Sequence, residues 1–243
     1  MRPGGRMIER SESDGIVTLR LAHGKVSALD VELCEELRGQ FDQARDARAV
    51  ILTGTGSIFS AGVDLFRLTS EGAPYVERFW PALNGMLADL FVFPRPVVAA
   101  ANGHAIAGGC FLVACSDYRL MSGGKIGVPE LLVGVPFPTV IMEILKFVAG
   151  RDAQYLAYSG ATLPPEEAVG RGLIDEVVGA DQLLVRAREV AERLAAIPAD
   201  AFRITKLQLR RGQDHDTESL RIWSQPATHA HIREYLARTV GRK

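Results

Sequence analysis

Nothing in this chain is present in great excess, and what is scarce narrows its function first. Its 28 basic and 29 acidic side chains leave a formal net charge of −1. That balance gives no electrostatic reason to expect nucleic acid or an anionic membrane as partner. Local basic clusters can still meet a phosphorylated ligand. Cysteine is rare: Cys34, Cys110 and Cys115 form neither a CxxC pair nor an even-numbered framework, as expected of reduced, buried thiols in a cytoplasmic protein. His229 and His231 stand two apart, on different faces of any helix, so they make a poor metal pair and no metal is expected. The chain has no Gly-x-Gly-x-x-Gly or P-loop pattern, which argues against dinucleotide or nucleoside triphosphate chemistry. Ser60 lies outside any Gly-x-Ser-x-Gly elbow, the setting of a serine hydrolase. The opening Met-Arg-Pro-Gly-Gly-Arg-Met is positive but leads into no apolar stretch, and does not read as a secretory signal.

What remains is an ordinary soluble composition. At 243 residues, 47% hydrophobic and 23% charged, the chain suits one large domain, or one domain with an appendage. Residues 97–115 hold no acidic or basic side chain apart from His104, and are long enough to be mistaken for a membrane span. Asn102-Gly103 is a turn signal, so a buried strand, a turn and a buried helix fit better.

Strand patterns fall at 15–22, Ala49–Leu52, Val97–Ala101, Tyr118–Met121 and Leu173–Val178. A helix is expected after Asp30, a plausible N-cap, through Leu33, Leu37 and Phe41, and another over about 74–91, with Pro94 and Pro96 at its exit. Strands alternating with helices imply crossovers and a largely parallel sheet. From Asp181 the pattern is helical only, with Leu183, Leu184, Ala187, Val190, Ala191 and Leu194 at helical spacing. Pro198 restarts the chain, and an amphipathic stretch runs from about Glu218 to Ala237. No sequence repeat is evident. The division expected is an α/β core over 1–180 and a helical region over 181–243.

Three stretches carry chemistry. Phe-Ser-Ala-Gly-Val-Asp-Leu (59–65) places small residues and a glycine after a strand, where a backbone N–H can approach a ligand; alone, it reads more readily as a tight turn into a helix capped by Asp64. Asn-Gly-His-Ala-Ile-Ala-Gly-Gly-Cys (102–110) is also strand, turn and helix start, where unpaired N–H groups suit an anion. Two such loops together supply what an oxyanion hole requires. In Val-Pro-Glu-Leu-Leu-Val-Gly-Val-Pro (128–136), Glu130 is either a helix-start charge or a carboxylate held in a dry pocket.

These stretches resemble the acyl-CoA site of the crotonase superfamily, the enoyl-CoA hydratases and isomerases. The resemblance implies an α/β fold with a crotonase-like ββα spiral core and a C-terminal α-helical region. It implies that the N–H groups of Ala61 and Gly108 grip the thioester oxygen and that Glu130 is the catalytic carboxylate. It further implies substrate contacts from Lys25, Ala28, Gly62, Val63, Asp64, Leu65 and Phe111. Lys25–Asp30 looks like the family's early turn at the nucleotide end of CoA, with Ser27 in place of asparagine. Asp117 falls on an aspartate shared by most members, with a structural role. Coenzyme A is part of the substrate, so no separate cofactor is implied, and homotrimers or pairs of trimers are the common assembly.

The chain departs from the hydratases at Phe111, where they carry a first glutamate beside the one matching Glu130. Phenylalanine neither donates nor accepts a hydrogen bond, so water on that side loses its acid–base partner. Double-bond migration needs less: one carboxylate that removes a proton at C2 and returns it at C4. The chain is therefore similar to the 3,2-trans-enoyl-CoA isomerases, which keep the second glutamate and put an apolar residue in the first position. The tail from Ile197-Pro198 to Lys206-Leu207 resembles theirs as well. An enoyl-CoA hydratase and a non-catalytic acyl-CoA binding protein are the alternatives. His104 is read as packed beside its own loop, and Lys206, Arg210 and Arg211 as a solvated basic face or CoA phosphate ligands.

Overall fold

The computed structural model describes residues 6–211 and 216–223, together with residues 225, 227, 228, 230 and 232. The chain begins with an antiparallel pair, β1 (Ile8–Ser13) and β2 (Ile16–Leu21), followed by α1 (Val31–Gln43). A spiral then sets in. The first turn is β3 (Ala49–Thr53), β4 (Ile58–Ser60) and the helices α2 (Leu65–Glu71) and α3 (Ala73–Phe91). The second is β5 (Val97–Ala101), β6 (His104–Ile106) and α4 (Gly108–Ala114). The third is β7 (Tyr118–Met121), β8 (Ile126–Gly127) and, after a 3₁₀ turn at Glu130–Val133, α5 (Thr139–Ala149). Then come α6 (Ala153–Ser159), β9 (Thr162–Leu163), α7 (Pro165–Gly170) and β10 (Glu176–Val177). The helices α8 (Leu183–Ala195), α9 (Ala199–Arg211) and α10 (Asp216–Trp223) follow.

Each turn of the spiral lays one strand in each of two sheets. The larger has the order β1-β2-β3-β5-β7-β10 and is parallel from β2 onward; the smaller has the order β4-β6-β8-β9 and is parallel through β8. The repeat is one of backbone path and leaves no residue-level period.

Both faces of the larger sheet are covered, which is why its central strands are apolar runs rather than alternating ones. Val50, Leu52, Val97, Ala99 and Ala101 face the main core, with Leu33 and Leu37 of α1, Leu83 and Leu87 of α3, and α4. Ala49, Ile51, Val98 and Ala100 face the other way, onto Leu183, Ala187, Val190 and Ala191 of α8. At 25–30 cal/mol per Å² of apolar surface, each fully buried aliphatic side chain contributes roughly 1.5–3 kcal/mol. Asp30 caps α1, its carboxylate accepting from the Leu33 N–H at 2.8 Å.

The span 97–115 resolves into β5, the Asn102-Gly103 turn, β6 and α4, and among the described residues no helix is long and apolar enough to cross a membrane. One expectation is corrected and one strand is added. The strand expected over Leu173–Val178 is confined to Glu176–Val177, because the Leu173 N–H turns back to the Ala168 carbonyl at 3.0 Å. The polar strand β1, with only Ile8 buried, is an edge that no apolar alternation announces. His229, His231 and most of the expected amphipathic stretch beyond Trp223 lie outside the described residues.

Lys206 and Arg210 are neither a solvated face nor placed for CoA phosphates. Both are buried against Asp117: Lys206 Nζ lies 2.8 Å from Oδ2 and Arg210 Nη2 2.9 Å from Oδ1. Arg210 also donates to the carbonyls of Phe91, Cys115 and Ser116, and Asp117 accepts from the Val97 N–H at 2.8 Å. This cluster fastens α9 to the starts of β5 and β7. Burial pushes the Lys206 ammonium down to about 8 while Asp117 opposes the shift. Arg211 is exposed.

Candidate active site

The smaller sheet organises the site. Because β4, β6 and β8 run parallel side by side, the segments leaving their C-terminal ends emerge on one edge, where α/β sheets place ligands. Those segments are Ala61–Asp64, Ala107–Gly108 and Val128–Glu130.

The first loop is braced by the Lys25–Asp30 turn. The Leu29 N–H donates to the Gly62 carbonyl at 2.7 Å and the Asp64 N–H to the Leu29 carbonyl at 3.0 Å, a parallel bridge between Leu29 and Val63. Gly62 has φ +82°, and a Cβ added there would lie 2.6 Å from the Ile106 carbonyl oxygen, 2.8 Å from Ala107 Cβ and 3.1 Å from the Gly108 nitrogen. Only glycine lets the two loops approach this closely.

This geometry corrects one expected donor. The Ala61 N–H donates to the Val26 carbonyl at 3.0 Å and is not available to a ligand. Val63 is different: the bridge engages the groups flanking it, so its own N–H faces away from Leu29. Among the described residues, no acceptor meets the N–H of Val63 or that of Gly108. The free pair is therefore Val63 and Gly108.

The second loop is strained where it delivers Gly108. Ala107 has φ 52° and ψ −122°, a conformation uncommon for a residue with a Cβ, and is held there by its N–H donating to the Gly127 carbonyl at 2.8 Å. Helix α4 is 7 residues long, so its dipole is a minor term beside the directed amide.

Glu130 opens the 3₁₀ turn, behind Pro129 and the buried Val128. Its Oε2 is buried and has no hydrogen-bond partner among the described residues. Burial pushes the carboxyl up to about 7, opposed only by its own backbone N–H. Phe111 is fully buried on α4, its ring edge-on to Phe137 at 6.4 Å between centroids. The adjacent Cys110 thiol is buried and raised, by desolvation first and then by the Glu130 charge.

The remaining expected residues lie around this edge. Asp64 caps α2, accepting from the Arg67 N–H at 2.9 Å. Arg67 bridges Glu32 and Glu71 and lies over the Tyr75 ring, fixing α2 against α1 and α3. Lys25 is exposed, Ala28 half-buried and Leu65 exposed. His104 packs beside its loop, its Nδ1 accepting from the Lys125 N–H at 3.2 Å.

The family model described as enoyl-CoA hydratase/isomerase matches residues 11–237. The chain belongs to the enoyl-CoA hydratase/isomerase family. It is 29% identical to the mitochondrial enoyl-CoA delta isomerase 1 of Rattus norvegicus over 213 residues, 84% of this chain and 74% of that one. It is also 29% identical to a probable enoyl-CoA hydratase of Mycobacterium tuberculosis over 210 residues, 84% of this chain and 80% of that one. Human mitochondrial delta3-delta2-enoyl-CoA isomerase superposes with a TM-score of 0.82 at 25% identity, covering 98% of this chain and 100% of that one. The chain is thus an enoyl-CoA hydratase/isomerase family enzyme of crotonase fold. Relatives of both activities stand at the same identity, so the choice between them rests on the residues of this site.

Ala107 is not marked by the sequence as part of this site, since nothing in an alanine announces a positive φ.

Proposed function

We propose that this enzyme isomerises 3-enoyl-CoA to 2-trans-enoyl-CoA with Glu130 as its single acid–base group. The observation that carries the reading is a carboxyl whose buried Oε2 has no partner among the described residues, raised to about 7, with a fully buried phenylalanine at the position where the hydratases resembled here carry their other glutamate. The Val63 and Gly108 amides hold the thioester oxygen. Glu130, ionised, takes a proton from C2; the C2–H electron pair moves toward the thioester and the charge collects on its oxygen. The resulting dienolate is reprotonated at C4 by the same carboxylic acid, the double bond moves to C2–C3, and Glu130 ends as it began. No water enters the product and no cofactor beyond the CoA of the substrate is needed.

Phe111 weighs against the hydratase reading, because added water has no second carboxylate to hold it; each such group contributes about 10²–10⁴-fold. Free, buried cysteines support a cytoplasmic location. The exposed apolar run Leu131, Leu132, Val133 and Val135 supports a homotrimer or homohexamer.

The test is incubation with 3-hexenoyl-CoA, following conjugated-thioester absorbance, beside crotonyl-CoA as hydratase substrate. Absorbance should rise with the first and hold with the second, and Glu130→Gln should abolish the rise while CoA-ester binding persists. Loss of crotonyl-CoA absorbance would favour the hydratase. Binding of both esters with no turnover would leave an acyl-CoA binding protein.

A further inference from the structure

We propose that Ser60 is a positioning residue that sets the direction of the Val63 N–H, a role that rests on the amide pair assigned above. Ser60 ends β4 and is fully buried. Its Oγ donates to the Ser27 carbonyl at 2.7 Å and accepts from the Gly62 N–H at 3.2 Å. Its backbone lies against the second loop, since a Cβ added at Gly109 would stand 2.4 Å from the Ser60 carbonyl oxygen. One small side chain and its peptide thus meet the early turn and both amide-bearing loops.

The route from hydroxyl to amide is short. Ser27 is buried, has φ 45°, and is further held by its N–H donating to the His23 carbonyl at 2.9 Å. Fixing the Ser27 carbonyl fixes the turn that carries Leu29, whose N–H holds the Gly62 carbonyl at 2.7 Å. The Gly62–Val63 peptide is planar and trans, so its C=O and N–H point in opposite directions. Holding that C=O toward Leu29 aims the Val63 N–H away from Leu29, toward the side where Gly108 lies. Without the hydroxyl, the Ser27 carbonyl loses its donor, the Gly62 N–H loses its acceptor, and the peptide is free to tilt.

The test uses the full-length enzyme carrying Ser60→Ala and Ser60→Cys. A bound 2,4-hexadienoyl-CoA, whose absorption band moves to longer wavelength when its thioester oxygen receives hydrogen bonds, reports the amides without turnover. The wild type should shift the band, Ser60→Ala should lose most of the shift, and Ser60→Cys, with a weaker donor and acceptor, should fall between. For 3-hexenoyl-CoA, kcat should fall about 10–100-fold in Ser60→Ala with KM within about twofold, as for a misaligned transition-state donor. A Ser60→Ala enzyme with wild-type band shift and kcat overturns the proposal, even if it melts lower, since that is packing alone. Should Ser60→Ala not fold, a full band shift in Ser60→Cys overturns it equally. A wild type that shifts the band but isomerises nothing refutes the isomerase and leaves Ser60 tested; one that binds without any shift refutes the amide pair and this proposal together.

Discussion

At the residue scale, Glu130 is held at a cost to stability that its proposed chemistry explains. Its carboxyl is raised from the ordinary 4.5 to about 7, so the folded chain binds a proton there more tightly than the unfolded chain does. Stability contributed by this group is highest below pH 4.5, falls as pH rises between 4.5 and 7, and stays low above 7. The full penalty is on the order of 3 kcal/mol. Glu130→Gln removes the charge at all pH values. It should therefore raise stability by about that amount at pH 8 and by little at pH 4.5, as measured by urea unfolding at the two values. An equal effect at both would mean that the carboxyl is not desolvated. The same titration governs rate: kcat/KM for a 3-enoyl-CoA should rise with pH through about 7 and then level off.

The residue scale is also where sequence reading reached its limit. Glu130, Phe111 and Gly108 are legible as candidates because motif and chemical type point the same way. The first donor is not: whether Ala61 or Val63 presents a free N–H depends on the Val26 carbonyl and on the bridge to Leu29. Both contacts come from the chain 30 or more positions earlier, which spacing within 59–65 does not encode.

At the element scale, the long apolar strands and amphipathic helices were readable and the short elements were not. β5 has the limits that its apolar run marks and β7 those expected for it despite Arg119, whereas β8 and β9 are two residues each and carry no period at all. Yet the smaller sheet, built from such pieces, brings the loops of the site together. Helix α9 shows the opposite difficulty. Its basic residues look solvated until Asp117, 89 positions from Lys206, is seen between Lys206 and Arg210. Asp117→Ala leaves two buried cations without their shared counter-charge. It should cost about 3–5 kcal/mol in urea unfolding and expose α9 amides to hydrogen exchange ahead of β5 and β7. Asp117→Ala with wild-type stability would show that the cluster does not fasten the helix.

At the scale of the whole molecule, the spiral explains how distant segments converge. Each turn adds a strand to both sheets, so the larger sheet supplies a double-faced core while the smaller collects the loops at one edge. The site is thereby built on packed strands rather than on free loops, and its amides are oriented by the fold, as the proposed stabilisation of an enolate requires. The fold does not choose between isomerase and hydratase, since relatives of both activities share it. In the proposed mechanism that choice lies with one buried aromatic ring and one carboxyl.

The central claim, that a single carboxylate carries the proton from C2 to C4, is tested most directly by following that proton. A 3-enoyl-CoA deuterated at C2 should yield 2-trans-enoyl-CoA with deuterium at C4 well above solvent background, and Glu130→Gln should produce none. Product formed at the wild-type rate by Glu130→Gln, or deuterium at C4 no higher than solvent exchange supplies, would contradict the account.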